Sequence, residues 1–317
     1  MTFDPFDDFE ERGYLRNLFG EKDPEIVRHL EHSSFVAGVD QAFAKLVQRE
    51  HLTYGDVLDT HKTLFGDMYP WAGQDRAQTT PDRAVSKGSV IFAHPDDAKR
   101  AVEHALQMGQ DKATMTAKPG EVMGYQAFGH PFLDGNGRTI MVVHAELAQR
   151  AGLSIDWAAT NKADYLTALT REIDSPGKGH LDAYLKPFMR PGVGHDRLAS
   201  HIASTQGLKG DTRQPLDANE VLGRFSDPAV QARYALQEQR RAQPSHSTTP
   251  TPATPASDAA RGTVPAEKKA EMTEAEEKRF KELTSRFTRD SDRARERDNK
   301  NGNDRGGGRG GRGGGRH

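Results

Sequence analysis

The sequence predicts an all-α domain that carries one small β-hairpin and is followed by a long polar tail. Three observations lead to this. Helical apolar spacing recurs along residues 1–190, between residues that cap helices well. The segment Val85–Phe92 breaks that pattern, being short, β-branched and punctuated by turn residues. The whole chain of 317 residues is 34% hydrophobic and 28% charged, too polar for two full cores.

Each element follows from local chemistry. Asp23–Gln48 reads as a helix pair or one long helix, with Asp23 as N-cap and Pro24 in the first turn. Thr53-Tyr54-Gly55-Asp56 opens the next, and Val57, Leu58, His61, Leu64 and Phe65 share its apolar face. Met68–Gly73 ends it. Gln74–Ala93 is the least helical stretch and contains the hairpin. His94-Pro95-Asp96-Asp97 starts a helix that reaches about Gln110. Pro119–Phe128 forms another, broken at His130-Pro131. Asn136–Arg150 is closed by Gly152. Ala163–Ile173 and Leu181–Phe188 complete the body, with Trp71 and Trp157 as core residues.

The chemistry changes after about Pro191. Residues 1–192 make the domain, and 193–243 are docked helices or linker, with Leu222, Phe225, Val230 and Tyr234 as the candidate docked face. A chain ending near Pro191 is expected to keep its fold. Residues 244–317 are expected to be disordered: Ser, Thr, Pro and Ala dominate up to Val264, and Phe280, Leu283 and Phe287 make only one thin stripe. The last 17 residues hold 9 Gly and 4 Arg.

Composition excludes several classes. There is no cysteine, hence no disulfide, cysteine nucleophile or thiolate metal site. No run of 18 apolar residues exists, so no membrane partner is expected. The acidic N-terminus lacks a signal-peptide core, which points to the cytoplasm. Residues 244–317 carry 16 Lys+Arg against 12 Asp+Glu, whereas the body is acidic, so strong nucleic-acid binding by the body is not expected. The Arg/Gly-rich end reads as a solvated tail, or one touching single-stranded nucleic acid weakly.

The informative segment is His130-Pro131-Phe132-Leu133-Asp134-Gly135-Asn136-Gly137-Arg138-Thr139. Pro131 interrupts one helix and a glycine turn opens the next. Gly135 and Gly137 let backbone N–H groups approach an anion, and the following helix presents its positive end there. Asp134 is a hard ligand suited to Mg2+, and Arg138 offers a fork for phosphate. The Asn136 amide can donate to a phosphoryl group, and His130 can take a hydroxyl proton near neutral pH. His61, His94 and His144 read as hydrogen-bonded or solvated, and His144 and Glu146 as structural.

This decapeptide resembles the signature of the Fic family, H-x-F-x-D/E-G-N-G-R-x-x-R, through His130, Phe132, Asp134, Gly135, Asn136, Gly137 and Arg138. The resemblance extends over roughly residues 10–190, including Tyr69–Gly73, Ser86-Lys87-Gly88 and Phe92–Pro95. It implies a helical core with a hairpin flap beside the active site, and transfer of AMP from Mg-ATP to a Ser, Thr or Tyr hydroxyl of a target protein. It also implies roles: His130 as base, Asp134 on Mg2+, and Gly135, Asn136, Gly137 and Arg138 on the phosphates. The flap, Ser89, Val90, Ile91 and Phe92, would register the target backbone, and Phe132 would pack under the loop. Gly135 favours nucleotidyl transfer over the branches with Ala there.

Two departures stand out. The family's second arginine, which contacts the γ-phosphate, is Met141 here. No glutamate is followed by Gly or Asn, so the family's inhibitory motif, whose glutamate pairs with that arginine, is absent. A separate antitoxin chain would then have to act differently. The basic tail also resembles type IV secretion signals, which would make the chain a translocated effector or toxin. The alternative to an enzyme is a non-catalytic, nucleotide-responsive module whose tail docks nucleic acid or a partner.

Overall fold

The computed structural model describes residues 15–205 and 220–242. The Thr/Pro-rich, charged and Arg/Gly-rich segments of 243–317 lie outside the described residues, as does the tail's expected disorder.

The long N-terminal segment is one helix, α1 (Pro24–Leu46), not a pair. Asp23 caps it, its carboxylate accepting from the Glu25 and Ile26 backbone N–H groups. A capping box between Thr53 and Asp56 opens α2 (Tyr54–Phe65). These two helices pack closely, and Leu30, Phe35, Leu64 and Phe65 between them are fully buried. A single turn, α3 (Arg76–Thr79), precedes the hairpin of β1 (Arg83–Lys87) and β2 (Val90–Ile91). Then come α4 (Pro95–Gln110), α5 (Lys112–Ala117), α6 (Pro119–Gly129) and α7 (Asn136–Arg150). Helix α6 is buried on most sides, with Val122 and Met123 in the core, so it shows little amphipathic contrast.

The next elements are β3 (Leu153–Ile155), α8 (Lys162–Asp174), α9 (His180–Leu185) and β4 (Met189–Pro191). Strand β4 pairs antiparallel with β3 and ties the end of α7 to the chain after α9. Helix α10 (His195–Ala203) buries Leu198, Ala199 and Ile202. It is pinned to α7 where His195 Nε2 meets the buried Glu146 carboxylate at 2.9 Å, while Arg150 holds the other oxygen at 2.7 Å.

The last described elements are β5 (Glu220–Arg224) and α11 (Pro228–Ala242). Strand β5 adds to the hairpin, giving a three-stranded antiparallel sheet in the order β2-β1-β5. Phe225 and Val230 are buried against Ala84 and Ile91. The described residues after Pro191, 192–205 and 220–242, are therefore part of the packed body. A cut near Pro191 would remove this cover from the hairpin and from α7.

Close approach of α1 and α2 rests on Gly38. A Cβ there would lie 2.5 Å from the Thr63 carbonyl oxygen and 3.0 Å from Leu64 Cα, both backbone atoms that cannot yield. Gly38→Ala is expected to lower stability by about 2 kcal/mol through overpacking. Gly55→Ala, whose nearest neighbour would be 3.5 Å away, should be neutral or raise stability by up to about 1 kcal/mol. Denaturant melts of the two variants check the contrast.

Candidate active site

Helix α6 ends at Gly129, and His130 takes the left-handed conformation, with φ 43° and ψ 58°. It is the only non-glycine residue with positive φ among the described residues. Such a conformation persists only where the surroundings over-determine it. Here they do. Asp75 caps the short α3, which sends the Arg76 side chain beneath the end of α6. Arg76 Nε donates to the His130 carbonyl at 2.7 Å, and Nη2 donates to Ala93 O at 2.7 Å and Gly129 O at 3.5 Å. The Arg76 backbone N–H donates to Pro131 O at 2.7 Å. Burial lowers the guanidinium pKa to about 10, so it stays charged at neutral pH. Above it, the His130 ring lies flat on Phe92, with centroids 3.6 Å apart and planes 7° apart.

The loop that follows is fixed from inside. Asn136 brackets Phe132: its Oδ1 accepts from the Phe132 N–H at 2.9 Å and its Nδ2 donates to the Phe132 carbonyl at 2.8 Å. The Phe132 ring stacks on His61 at 3.7 Å. His61 Nδ1 accepts from the Gly73 N–H at 2.9 Å, which leaves the proton on Nε2 to donate to Asp134 O at 3.0 Å. Burial pushes the His61 pKa down to about 3, so the ring is neutral. Asp134 keeps a part-exposed carboxylate, with Oδ1 accepting from the Gly135 N–H at 2.5 Å. Gly135 then adopts φ 75° and caps α7 without a side chain, leaving the first N–H groups of that helix uncapped by any side chain. A Cβ at 135 would sit 2.6 Å from Phe65 Cε2 and 3.0 Å from His61 Nε2.

These groups face a cavity of about 400 Å³. His130, Asp134, Asn136 and Gly137 line it on one side, Lys87, Val90 and Phe92 of the hairpin on another, and Tyr165 and Leu169 of α8 close it. Most of the anticipated site is therefore brought together, but Ser89, Ile91, Gly135 and Arg138 do not line the cavity, and the Asn136 side chain is engaged elsewhere. The Asn136 side chain is turned to Phe132, its Oδ1 and one Nδ2 hydrogen both engaged there. Ile91 points away from the cavity, into the small core with Ala84, Phe225 and Val230. Arg138 does not line the cavity. Its guanidinium meets Glu31 of α1 at 3.3 Å, lies 4.6 Å from the Phe65 ring centroid, and comes no nearer than 4.0 Å to Asp134.

Glu31 is buried and also accepts from the Tyr69 hydroxyl at 2.5 Å. Burial, then Asp134, pushes its pKa up to about 7, while Arg138 and Tyr69 oppose the rise. Burial works against the Arg138 charge too, yet Glu31 and then Asp134 outweigh it and hold its pKa above the usual value. No sequence signal marked Glu31, since its spacing on α1 is that of any core-facing residue. Arg76 carried a faint one, as a lone arginine just after Trp71-Ala72-Gly73. Met141 is buried, with 6% exposure, and lies off the cavity. His144 is buried and bonded to the Pro119 carbonyl at 2.8 Å. Among the described residues no group of three or more His, Asp or Glu side chains is placed to hold a metal.

The Fic/DOC family model matches residues 51–148, which span α2 to α7 and hold the whole loop. The chain carries a Fic/DOC-family domain. Its Fic segment is 28% identical over 174 residues to the protein adenylyltransferase VbhT of Bartonella schoenbuchensis, covering 52% of this chain and 35% of VbhT. It is 30% identical over 121 residues to the probable protein adenylyltransferase y4lH of Sinorhizobium fredii, covering 35% of this chain and 60% of that protein. A solved N-terminal Fic domain of a VirB-translocated Bep effector from Bartonella quintana gives a TM-score of 0.48 at 21% identity, covering 57% of this chain and 90% of that one. The chain thus spans about a third to three fifths of these curated relatives.

Two outcomes follow from the geometry of the Fic loop. Gly135→Ala should cost about 2–3 kcal/mol in a melt, since φ and the ring of Phe65 both oppose a side chain. Glu31 is raised from 4.5 to about 7 on folding, so the folded state binds the extra proton. Stability from this group is then full below about pH 4.5 and lost as pH rises through 7. Between pH 4.5 and 8, wild type should lose about 3 kcal/mol relative to Glu31→Gln, measured as the difference between their stability curves.

Proposed function

We propose that the chain is a protein adenylyltransferase that transfers AMP from ATP to a hydroxyl side chain of a target protein. The observation that supports this best is the shared cavity: a strained His130 faces the same space as Asp134 and the uncapped N-terminus of α7. In the proposed step, a ring nitrogen of His130 takes the proton of the target hydroxyl. The oxygen attacks the α-phosphorus, the bond to the β-phosphate oxygen breaks, and pyrophosphate leaves. The N–H groups at the start of α7 would carry the phosphate charge that develops.

Asp134 fits Mg2+ shared with nucleotide phosphates. A single part-exposed carboxylate suits an ion that keeps several waters and takes its other ligands from the substrate. The bound ion would neutralise phosphate charge. Among the cavity-lining residues Lys87 is the sole Lys or Arg, and we assign it the triphosphate contact that Met141 does not supply. Arg138 braces the loop from behind, through Glu31. Roles as toxin or translocated effector rest on the basic tail, and growth arrest on expression, lost with His130→Ala, would support the first.

Incubation with ATP labelled at the α- or the γ-phosphate tests the reading. Label should reach protein from the α-position only. His130→Ala should cut transfer by about 10²–10⁴-fold with ATP affinity nearly unchanged. Label from the γ-position, or nucleotide binding with no transfer at all, would overturn it, and the latter would favour a non-catalytic module.

A further inference from the structure

The hairpin beside the cavity is expected to receive a target by strand pairing, but its edges are already filled by this chain. In an antiparallel pair, alternate residues direct their N–H and C=O to opposite sides. Val90 and Lys87 pair within the hairpin, and the Phe92 N–H donates to Val85 O. Ile91 therefore faces outward, and it is the one residue of β2 that does. Its N–H donates to Gln237 Oε1 at 2.9 Å, and its carbonyl accepts from Gln237 Nε2 at 2.5 Å. A primary amide has the same donor and acceptor as a peptide, so Gln237 stands where one residue of a docked strand would stand. The far side of β1 is taken by β5.

Gln237 does not act alone. Val230, Tyr234, Gln237 and Arg241 recur at helical spacing along one face of α11. Val230 packs on Ile91, and the Tyr234 hydroxyl accepts from the His94 N–H at 3.2 Å. Arg241 donates to the Ile173 carbonyl of α8 and lies 3.6 Å over the Phe128 ring. None of these four residues lines the cavity. The obstruction thus falls on the protein substrate and leaves the nucleotide space open.

We propose that α11 is an internal gate, in which Gln237 occupies the target-docking edge of the hairpin and must be displaced before an extended segment of a protein target can pair there. The proposal rests on the adenylyltransferase reading. The target it admits is an extended chain whose backbone pairs with Ile91 and whose hydroxyl then reaches His130.

The test uses the full chain, α-labelled ATP, and a degenerate peptide library containing Ser, Thr and Tyr as acceptor. Gln237→Leu removes both hydrogen bonds, and Gln237→Glu keeps only the acceptor, at nearly the original size. Amide exchange at Ile91 should be slow in wild type and faster in both variants. Transfer to peptide should rise about tenfold in Gln237→Leu, the worth of two net hydrogen bonds, and less in Gln237→Glu. The KM for ATP should not move. If Ile91 exchange quickens while peptide labelling stays at the wild-type level, Gln237 is only structural and the gate is wrong. Fast exchange at Ile91 in wild type would also overturn it. Absence of AMP transfer from every protein, with exchange behaving as stated, sinks the adenylyltransferase reading itself, and the gate falls with it.

Discussion

The site depends on one buried cation. Arg76 reaches three carbonyl oxygens that helix α6 and the hairpin exit would otherwise leave without donors, those of Gly129, His130 and Ala93. Helix ends bring unsatisfied carbonyls, and a cation there is favoured by the helix dipole as well. The guanidinium does this in a place where burial works against its charge. Its planar fork joins the end of α6 and the residue after the hairpin into one unit, which an ammonium could not do with the same geometry. The left-handed turn at His130 is then sustained from below by Arg76 and from above by Phe92. The His130 ring is thus held in place by the chain's own residues.

The helical order was legible because it rests on local signals. Asp23 with Pro24, the Thr53–Asp56 box, Pro95, Pro119 and Gly152 all mark ends where the structure has them. The seven motif positions likewise showed where the site is. What local signals did not show was tertiary. Asn136 looked like a phosphate donor because its chemistry allows it, yet five-residue closure of the loop uses both ends of its amide on Phe132. Arg138 read as a fork for phosphate, and nothing in the sequence showed that α1 places the Glu31 carboxylate 3.3 Å from its guanidinium. Strand β5 is short and rests on pairing with β1, a contact more than 130 residues apart in sequence, which no local period can announce.

The Glu31–Arg138 pair changes how the missing second arginine is read. On sequence, neither half of the family's regulatory salt bridge is present. The structure places a different glutamate on the motif's first arginine, with Tyr69 and Asp134 around it. A buried pair of this kind contributes little net stability, because desolvation offsets most of the attraction. Its effect is on position: Arg138 is drawn towards α1, and the cavity keeps Lys87 as its lining cation.

Two further contacts around the site come from either side of the matched family segment. Glu31 lies before residue 51, and Gln237 lies far beyond residue 148. Each makes its contact through backbone or charge and not through a motif of its own. Glu31 meets the arginine behind the glycine turn, and Gln237 meets the strand beside it. The loop itself, from Arg76 to the start of α7, is over-determined and has little freedom to respond. The two contacts from the flanking segments therefore bear on charge near the loop and on the hairpin edge.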